Sequence, residues 1–386
     1  MRVAVVGSGI GGLCAAVGLQ RVGADVVVFE RASELRPGGS GLSVFGNGVR
    51  ALEALGLGEG FRAITDATAS SFRGGQRRPD GSWLSTYPMD ALTRLRVVDR
   101  AELHALLVSS LEAGAVCAGH RVLDVSFEGH LTSVGPDGQE IAESFDLVVA
   151  ADGLRSVVRR RCFDDPGVVY AGYSTWRGVT EHPVDLGGEA GESWGAARRF
   201  GIAPLADGRV YWFGVITTPQ GTQFDDDAAT LNQLFGGWHR PIPELIAATP
   251  SERIHYLPIE ELARPLGCFV QGRVVLLGDA AHAMTPNLGQ GGGQAMEDAA
   301  TLAALVASFA KDATPDAGRL TAALERYDEL RRPRSQRIAQ QSRLVGQLAH
   351  IPGRALSRLR DLVLTATPQS ALRRQLDGLQ SWTPPV

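Results

Sequence analysis

The chain opens on two short apolar runs separated by a stretch with helical spacing. Arg2-Val-Ala-Val-Val-Gly7 has the length and unbroken hydrophobicity of a buried strand. Over residues 10–22 the apolar positions Leu13, Ala16 and Val17 share one helical face, Gly23 ends the pattern, and residues 24–30 read as a second buried strand. That order predicts a right-handed, parallel βαβ unit. Residues 36–48 are rich in Gly and Ser (Pro37-Gly-Gly-Ser-Gly41), which predicts a mobile or closely approached loop before a helix over 48–57.

The spacing of Leu103, Leu106, Leu107 and Leu111 predicts an amphipathic helix over 99–112, followed by strands over 121–128, 131–134 and 145–150. Over 170–262 the texture changes to short β segments carrying Tyr173, Trp176, Trp194, Phe200, Tyr211, Trp212, Phe213 and Tyr256, which predicts a sheet-based second lobe. The buried-strand pattern returns at 272–278. From Gly292 onward the chain is helical, with breaks expected near Thr314-Pro315, Pro333 and Pro352. The fold class is therefore α/β: a Rossmann-like domain made of 1–169 and 263–330, an inserted β-sheet domain over 170–262, and a C-terminal helical segment over 331–386.

At 386 residues the chain is long enough to bury a cofactor completely. A hydrophobic fraction of 44%, a charged fraction of 21% and a net charge of -4 argue against nucleic acid or any strongly charged partner. Cys14, Cys117, Cys162 and Cys268 are scattered, without a CxxC pair or histidines at ligand spacing, so neither a zinc site nor a disulfide framework is expected. A reducing, cytoplasmic setting fits. The first strand leaves no room for a targeting segment, and no apolar run reaches the ~20 residues of a membrane span, so a soluble protein is expected. After Gly318 there are twelve arginines against five acidic residues, a net of +7. That segment reads as a helical cover over the second lobe or a partner subunit; docking on an acidic protein or an anionic membrane is the other reading.

Candidate chemistry begins with Gly7-Ser-Gly9-Ile-Gly11-Gly12, a GxGxxG between a strand and a helix. Glycine permits the turn and lets the backbone approach a pyrophosphate, whose charge meets the helix N-terminus. Glu30, with Arg31 beside it, ends the second strand, where a carboxylate can accept hydrogen bonds from a ribose. This motif alone does not separate NAD from FAD.

Two later segments do separate them. Asp146-Leu-Val-Val-Ala-Ala-Asp152-Gly153-Leu-Arg155-Ser156 and Gly278-Asp279-Ala-Ala-His-Ala-Met-Thr-Pro286-Asn-Leu-Gly289-Gln290-Gly291-Gly292 resemble the DG and GD motifs of the class A flavoprotein monooxygenases, the family of para-hydroxybenzoate hydroxylase. The resemblance covers residues 1–335. It implies FAD as the held cofactor, with Asp152 near FAD and nicotinamide, Arg100 near the FAD pyrophosphate, and Ser43 and Val122 among the flavin contacts. Physical reading of the second segment agrees. Asp279 emerges at the carboxyl edge of a sheet, where it can hold the ribityl hydroxyls, and Gly289 to Gly292 expose N–H groups suited to the negative pyrimidine edge of a reduced flavin. His282 reads as a structural histidine in a packed turn.

The same resemblance implies the reaction: NADH or NADPH reduces the flavin, O2 adds to give a flavin C4a-hydroperoxide, and one oxygen passes to an aromatic small-molecule substrate. The candidate catalytic residues are Pro286, Tyr211 and Arg199. Strand alternation puts Tyr211 and Phe213 on one face and Trp212 on the other; the Arg199 and Tyr211 pair is similar to the arrangement in FAD-dependent urate hydroxylase. The same scaffold also suits an epoxidase or reductase of isoprenoids, or FAD held as a structural element. Substrate identity, NADH against NADPH, hydroxylation against epoxidation or Baeyer-Villiger insertion, and monomer against homodimer stay open.

Overall fold

The protein, seen in a computed structural model, is described over residues 1–35 and 40–385. Four residues of the expected Gly- and Ser-rich loop, 36–39, lie outside that description. The strand Arg2–Val6, the helix Ile10–Arg21 and the strand Asp25–Glu30 form the expected unit, with Leu13 and Ala16 fully buried. Arg2–Val6 lies at the centre of a six-stranded sheet. On one side it pairs in parallel with Asp25–Glu30, which pairs with Val116–Ala118; on the other it pairs in parallel with Leu147–Ala150, which pairs with Val274–Leu276. The chain thus leaves this sheet after Ala150 and returns to it only at Val270–Gln271. A three-stranded meander over Arg121–Val125, His130–Val134 and Glu140–Ser144 flanks it.

The excursion builds most of a seven-stranded sheet from Val168–Val179, Gly191–Trp194, Arg198–Pro204, Val210–Thr217 and His255–Leu262. Two further strands, Gly75–Arg77 and Trp83–Thr86, come from chain well before residue 170, which sequence texture did not reveal. They join because Gly191–Trp194 offers an open edge, and Glu192 and Ser193 align in parallel with Gln76 and Arg77. One face of this sheet is closed by its own helices, Asp227–Phe235 and Ile242–Ala247, over Trp176, Phe200 and Trp212. The Trp212 indole N–H reaches Thr249 Oγ1 at 2.8 Å, so burying that ring strands no donor. The other face is left for the site.

The helix Ala317–Ala349 runs without a break through Pro333, where an interruption was expected. Proline inside a helix costs about 3 kcal/mol. Contacts on both sides of it offset that cost: Arg331 and Arg334 both bind the fully buried Glu297, and Arg331 also donates to Asp298 at 2.6 Å.

Candidate active site

Four parallel strands end at the same sheet edge, at Val6, Glu30, Ala150 and Leu276. The loops that follow three of them meet at a cavity of about 450 Å³, whose far wall is the free face of the seven-stranded sheet. Its place is the point where neighbouring connections leave the central strand in opposite directions, the usual ligand crevice of open α/β sheets.

The first loop explains its own glycines. Gly7 sits at φ 102°, and a Cβ there would lie 2.6 Å from the carbonyl oxygen of Ala151; one on Gly12 would overlap the carbonyl oxygen of Gly7. Gly9, by contrast, faces open space and lines the cavity, so a ligand could approach its backbone and the N-terminus of the helix that starts at Ile10. Gly11 lines the cavity too, packed under Leu277.

Glu30 accepts from the Ser8 N–H at 2.9 Å, the Ser8 hydroxyl at 2.7 Å and the Ala32 N–H at 2.8 Å. Burial pushes its pKa up, but these donors outweigh it and hold the carboxyl below its ordinary value. It braces the glycine loop from outside the cavity lining, with Arg31 exposed beside it.

Asp279 and Arg100 behave differently. Both line the cavity, both are exposed, and neither side chain has a partner among the described residues. Arg100 begins the helix Arg100–Ser109, while its neighbours Asp99 and Glu102 face Arg209 instead. Ser43, Gly289, Gly291 and Gly292 complete this side, and Gly291 opens a 16-residue helix whose N-terminus lies at the cavity. Gly153 and Gly291 have free space where a side chain would be. A guanidinium, a free carboxylate and two helix N-termini around bare backbone could hold a diphosphate, a polyol and an anionic ring edge, the three polar parts of FAD.

Besides Gly7, Gly12, Glu30 and Arg31, three further expected contacts lie off the lining. Asp152 ties down the start of the helix Val157–Cys162, whose N-cap is Ser156, by accepting from the Val157 N–H at 2.6 Å, and burial raises its pKa. Gln290 points into a buried cluster where Asn47 donates to it at 2.9 Å. Val122 packs into the main core at 6% exposure. His282 is structural, as expected: its Nε2 lies 2.6 Å from Asp298, which also accepts from the Gly278 N–H at 2.9 Å and so anchors the second motif. Burial raises the pKa of Asp298, but the charges of His282 and Arg331 bring it down to about 2.

On the sheet, alternation works as expected: Tyr211, Phe213 and Val215 face the cavity while Trp212 faces the opposite core. Register sets Phe213 opposite Arg177 on one side and Gly201 on the other, with Val215 opposite Thr175 and Arg199. Arg199 reaches the cavity at 1% exposure but is largely committed: Nη1 binds Glu192 at 2.9 Å, Nη2 donates to Asn287 Oδ1, and only Nε lacks a partner. Tyr211 is buried, and its hydroxyl has no hydrogen-bond partner among the described residues. Burial raises its pKa, although Arg177 and Arg100 partly oppose this, so at neutral pH it is a phenol, a donor rather than a base. Pro286 faces these residues from the loop.

Sequence reading passed over Arg177. It lines the cavity, half-buried, with no partner among the described residues. The signal existed: an arginine in the apolar strand Val168–Val179, one place after the fully buried Trp176 and so on the other face. Asn287, Tyr173 and His350 behind Arg199 had no comparable signal. Asn287 Nδ2 donates to the Tyr173 hydroxyl at 2.8 Å, and His350 stacks on Tyr173 at 4.1 Å.

Comparison with known proteins agrees with this geometry. The family described as FAD binding domain matches residues 1–342. The chain is 38% identical over 356 residues to aurachin C monooxygenase/isomerase of Stigmatella aurantiaca, covering 90% of this chain and 89% of that protein. It is 35% identical over 319 residues to FAD-dependent urate hydroxylase of Klebsiella pneumoniae, covering 79% and 81%. The crystal structure of Klebsiella pneumoniae HpxO complexed with FAD and uric acid superposes with a TM-score of 0.86 at 30% identity, over 99% of this chain and 97% of that one. With FAD-shaped polar groups around one cavity and these relatives over nearly its whole length, the chain belongs to the FAD binding domain family, as a class A flavoprotein monooxygenase that hydroxylates aromatic or heterocyclic small molecules.

Proposed function

We propose that the substrate is a planar heteroaromatic ring carrying a carbonyl or acidic hydroxyl oxygen, held by Arg177 and Tyr211 against Phe213 and facing Pro286. The supporting observation is a pair of polar groups without a partner among the described residues, Arg177 and the Tyr211 hydroxyl, on the sheet face that looks across the cavity at the Pro286–Gly292 loop. A relative that acts on urate and a structural neighbour holding uric acid favour this class.

In this reading Arg100 meets the diphosphate of FAD, Asp279 the ribityl hydroxyls and the Gly291 and Gly292 amides the pyrimidine edge. Redox chemistry, with electrons from NAD(P)H and one oxygen atom from O2, is supplied by FAD when it is bound. The net change is the ring C–H, O2, NAD(P)H and a proton going to the ring C–OH, NAD(P)+ and water. Arg177 would stabilise the deprotonated form of the substrate oxygen, whose negative charge makes the ring carbon electron-rich enough to take up oxygen, and Tyr211 keeps its proton and orients the same edge by donating to it. Phe213, Val215, Leu42 and Met284 exclude water from the reacting carbon. The four free cysteines support a reducing, cytoplasmic compartment.

The test is a panel of heteroaromatic and isoprenoid compounds scored for stimulated NAD(P)H oxidation and for a product heavier by one oxygen atom. A hydroxylated heteroaromatic product supports the assignment. Oxygen transfer only to isoprenoids, or peroxide release with every ring compound, would sink it.

A further inference from the structure

The helix Arg354–Ala366 sits with its polar face inward. Ser357, Arg360 and Asp361 are buried, whereas Leu356, Leu359, Leu362 and Val363 are 56–65% exposed. The next helix, Gln369–Gln380, has the ordinary orientation, with Leu376 and Leu379 buried and Arg373 and Arg374 exposed. Among the described residues these four account for four of the ten exposed large hydrophobic side chains, so the patch is concentrated on one short element.

The orientation is secured by bonds that only the polar face can make. Arg360 Nη1 donates to the carbonyls of Gly195 at 3.0 Å and Ala349 at 3.1 Å, and Nη2 reaches Asp361 at 2.8 Å. Asp361 accepts in turn from Arg78 Nε at 3.3 Å. Turning the helix to bury its leucines would strip a 3%-exposed guanidinium of these acceptors. At 100° per residue the four apolar side chains, with Ala355 and Ala366, fill one arc of about 120°, and exposed Arg358 lies beyond one edge of it.

Size and charge select the occupant. Thirteen residues of helix span about 20 Å, and four side chains offer a few hundred Å², short of the roughly 800 Å² that each partner gives to a stable protein–protein interface. The part after Gly318 is net +7 by count, but Arg331, Arg334, Arg343, Arg360 and Arg373 are paired with acidic groups, and the charge beside the leucine face is that of the exposed Arg358. A short, arginine-containing amphipathic helix with an outward leucine face matches the interfacial helices of peripheral proteins. No helix among the described residues is long and apolar enough to cross a membrane.

We propose that Arg354–Ala366 docks the protein on an anionic lipid surface, with Leu356, Leu359, Leu362 and Val363 entering the acyl boundary. The FAD-loaded full chain should float with vesicles of equimolar phosphatidylglycerol and phosphatidylcholine, and less with phosphatidylcholine alone or in high salt. The Leu359→Asp/Leu362→Asp variant should lose about tenfold in bound fraction, while its flavin absorbance, melting midpoint and NAD(P)H oxidation in solution stay those of the parent; Arg358→Glu should weaken binding to the anionic vesicles alone. A parent protein that stays in solution with anionic vesicles overturns the proposal, as does a double variant that floats like the parent. So does a mass measurement showing a dimer that the double variant splits, because the face would then be a subunit contact.

Discussion

Arg199 on the sheet and Asn287 on the loop after Pro286 are joined by a hydrogen bond from the guanidinium to the side-chain carbonyl, tying the two walls of the cavity together. Asn287 also donates to Tyr173 at 2.8 Å and to the Ser342 carbonyl at 2.9 Å, so the helix Ala317–Ala349 is part of the same tie. Arg199 is thereby a positioning group first, with only its Nε left for a ligand.

Asn287→Ala leaves buried donors and acceptors unpaired and should cost about 1–3 kcal/mol. Gly346 allows the helix to come this close, since a Cβ there would overlap Asn287 Nδ2 and the Tyr173 hydroxyl; Gly346→Ala should cost a similar 1–3 kcal/mol. Both should lower the denaturation midpoint and raise the share of NAD(P)H oxidation that ends as hydrogen peroxide, which a peroxide assay against product yield measures.

Arg177→Met should raise the substrate KM by about tenfold or more, the loss expected for a charged hydrogen bond of about 1.5–3 kcal/mol, while FAD content is unchanged. Arg177→Lys should recover part of the loss, because a point charge replaces a planar fork. Tyr211→Phe should weaken substrate use without moving a pH optimum, as its phenol is not the titrating group. An unchanged KM in Arg177→Met would remove this residue from substrate recognition.

Asp279→Ala and Arg100→Ala should fold with the parent's circular dichroism yet lose bound FAD on desalting, each weakening affinity by about tenfold or more. Among the described residues neither the carboxylate nor the guanidinium has a structural partner to lose. Glu30→Gln should behave otherwise and loosen the Ser8 turn, lowering thermal stability along with FAD affinity.

Acid should destabilise the fold early through His350. Burial, then the nearby Arg199 charge, lowers its pKa from 6.5 to about 3. Between those values the unfolded chain takes a proton that the folded one refuses, so stability falls as pH drops from about 6.5, by up to about 1.4 kcal/mol per pH unit. Asp298 acts lower: depressed from 3.8 to about 2, its contribution is complete above about pH 4 and is lost as pH falls towards 2. Denaturant titrations from neutral to about pH 4 should show His350→Gln flattening the upper part of this loss.

Local pattern was sufficient for much of this protein. The βαβ start, Gly7 to Gly12, the emergence of Asp279 at a strand end and the outward turn of Tyr211 against Trp212 follow from periods of 3.6 and 2 and from glycine spacing, which act over a few residues. FAD as the cofactor followed from motif resemblance along the chain rather than from any single spacing.

Only the tertiary structure decided the rest, because it depends on groups far apart in sequence. Register placed Arg177 opposite Phe213, the Glu192 and Asn287 bonds showed Arg199 to be occupied, and an open edge recruited Gly75–Arg77. Ion pairs to Glu297 carried a helix through Pro333. The helix Arg354–Ala366 shows the limit most plainly. Its amphipathic sequence is equally compatible with either face inward, and the carbonyls of Gly195 and Ala349, which bind Arg360, turned the leucines outward.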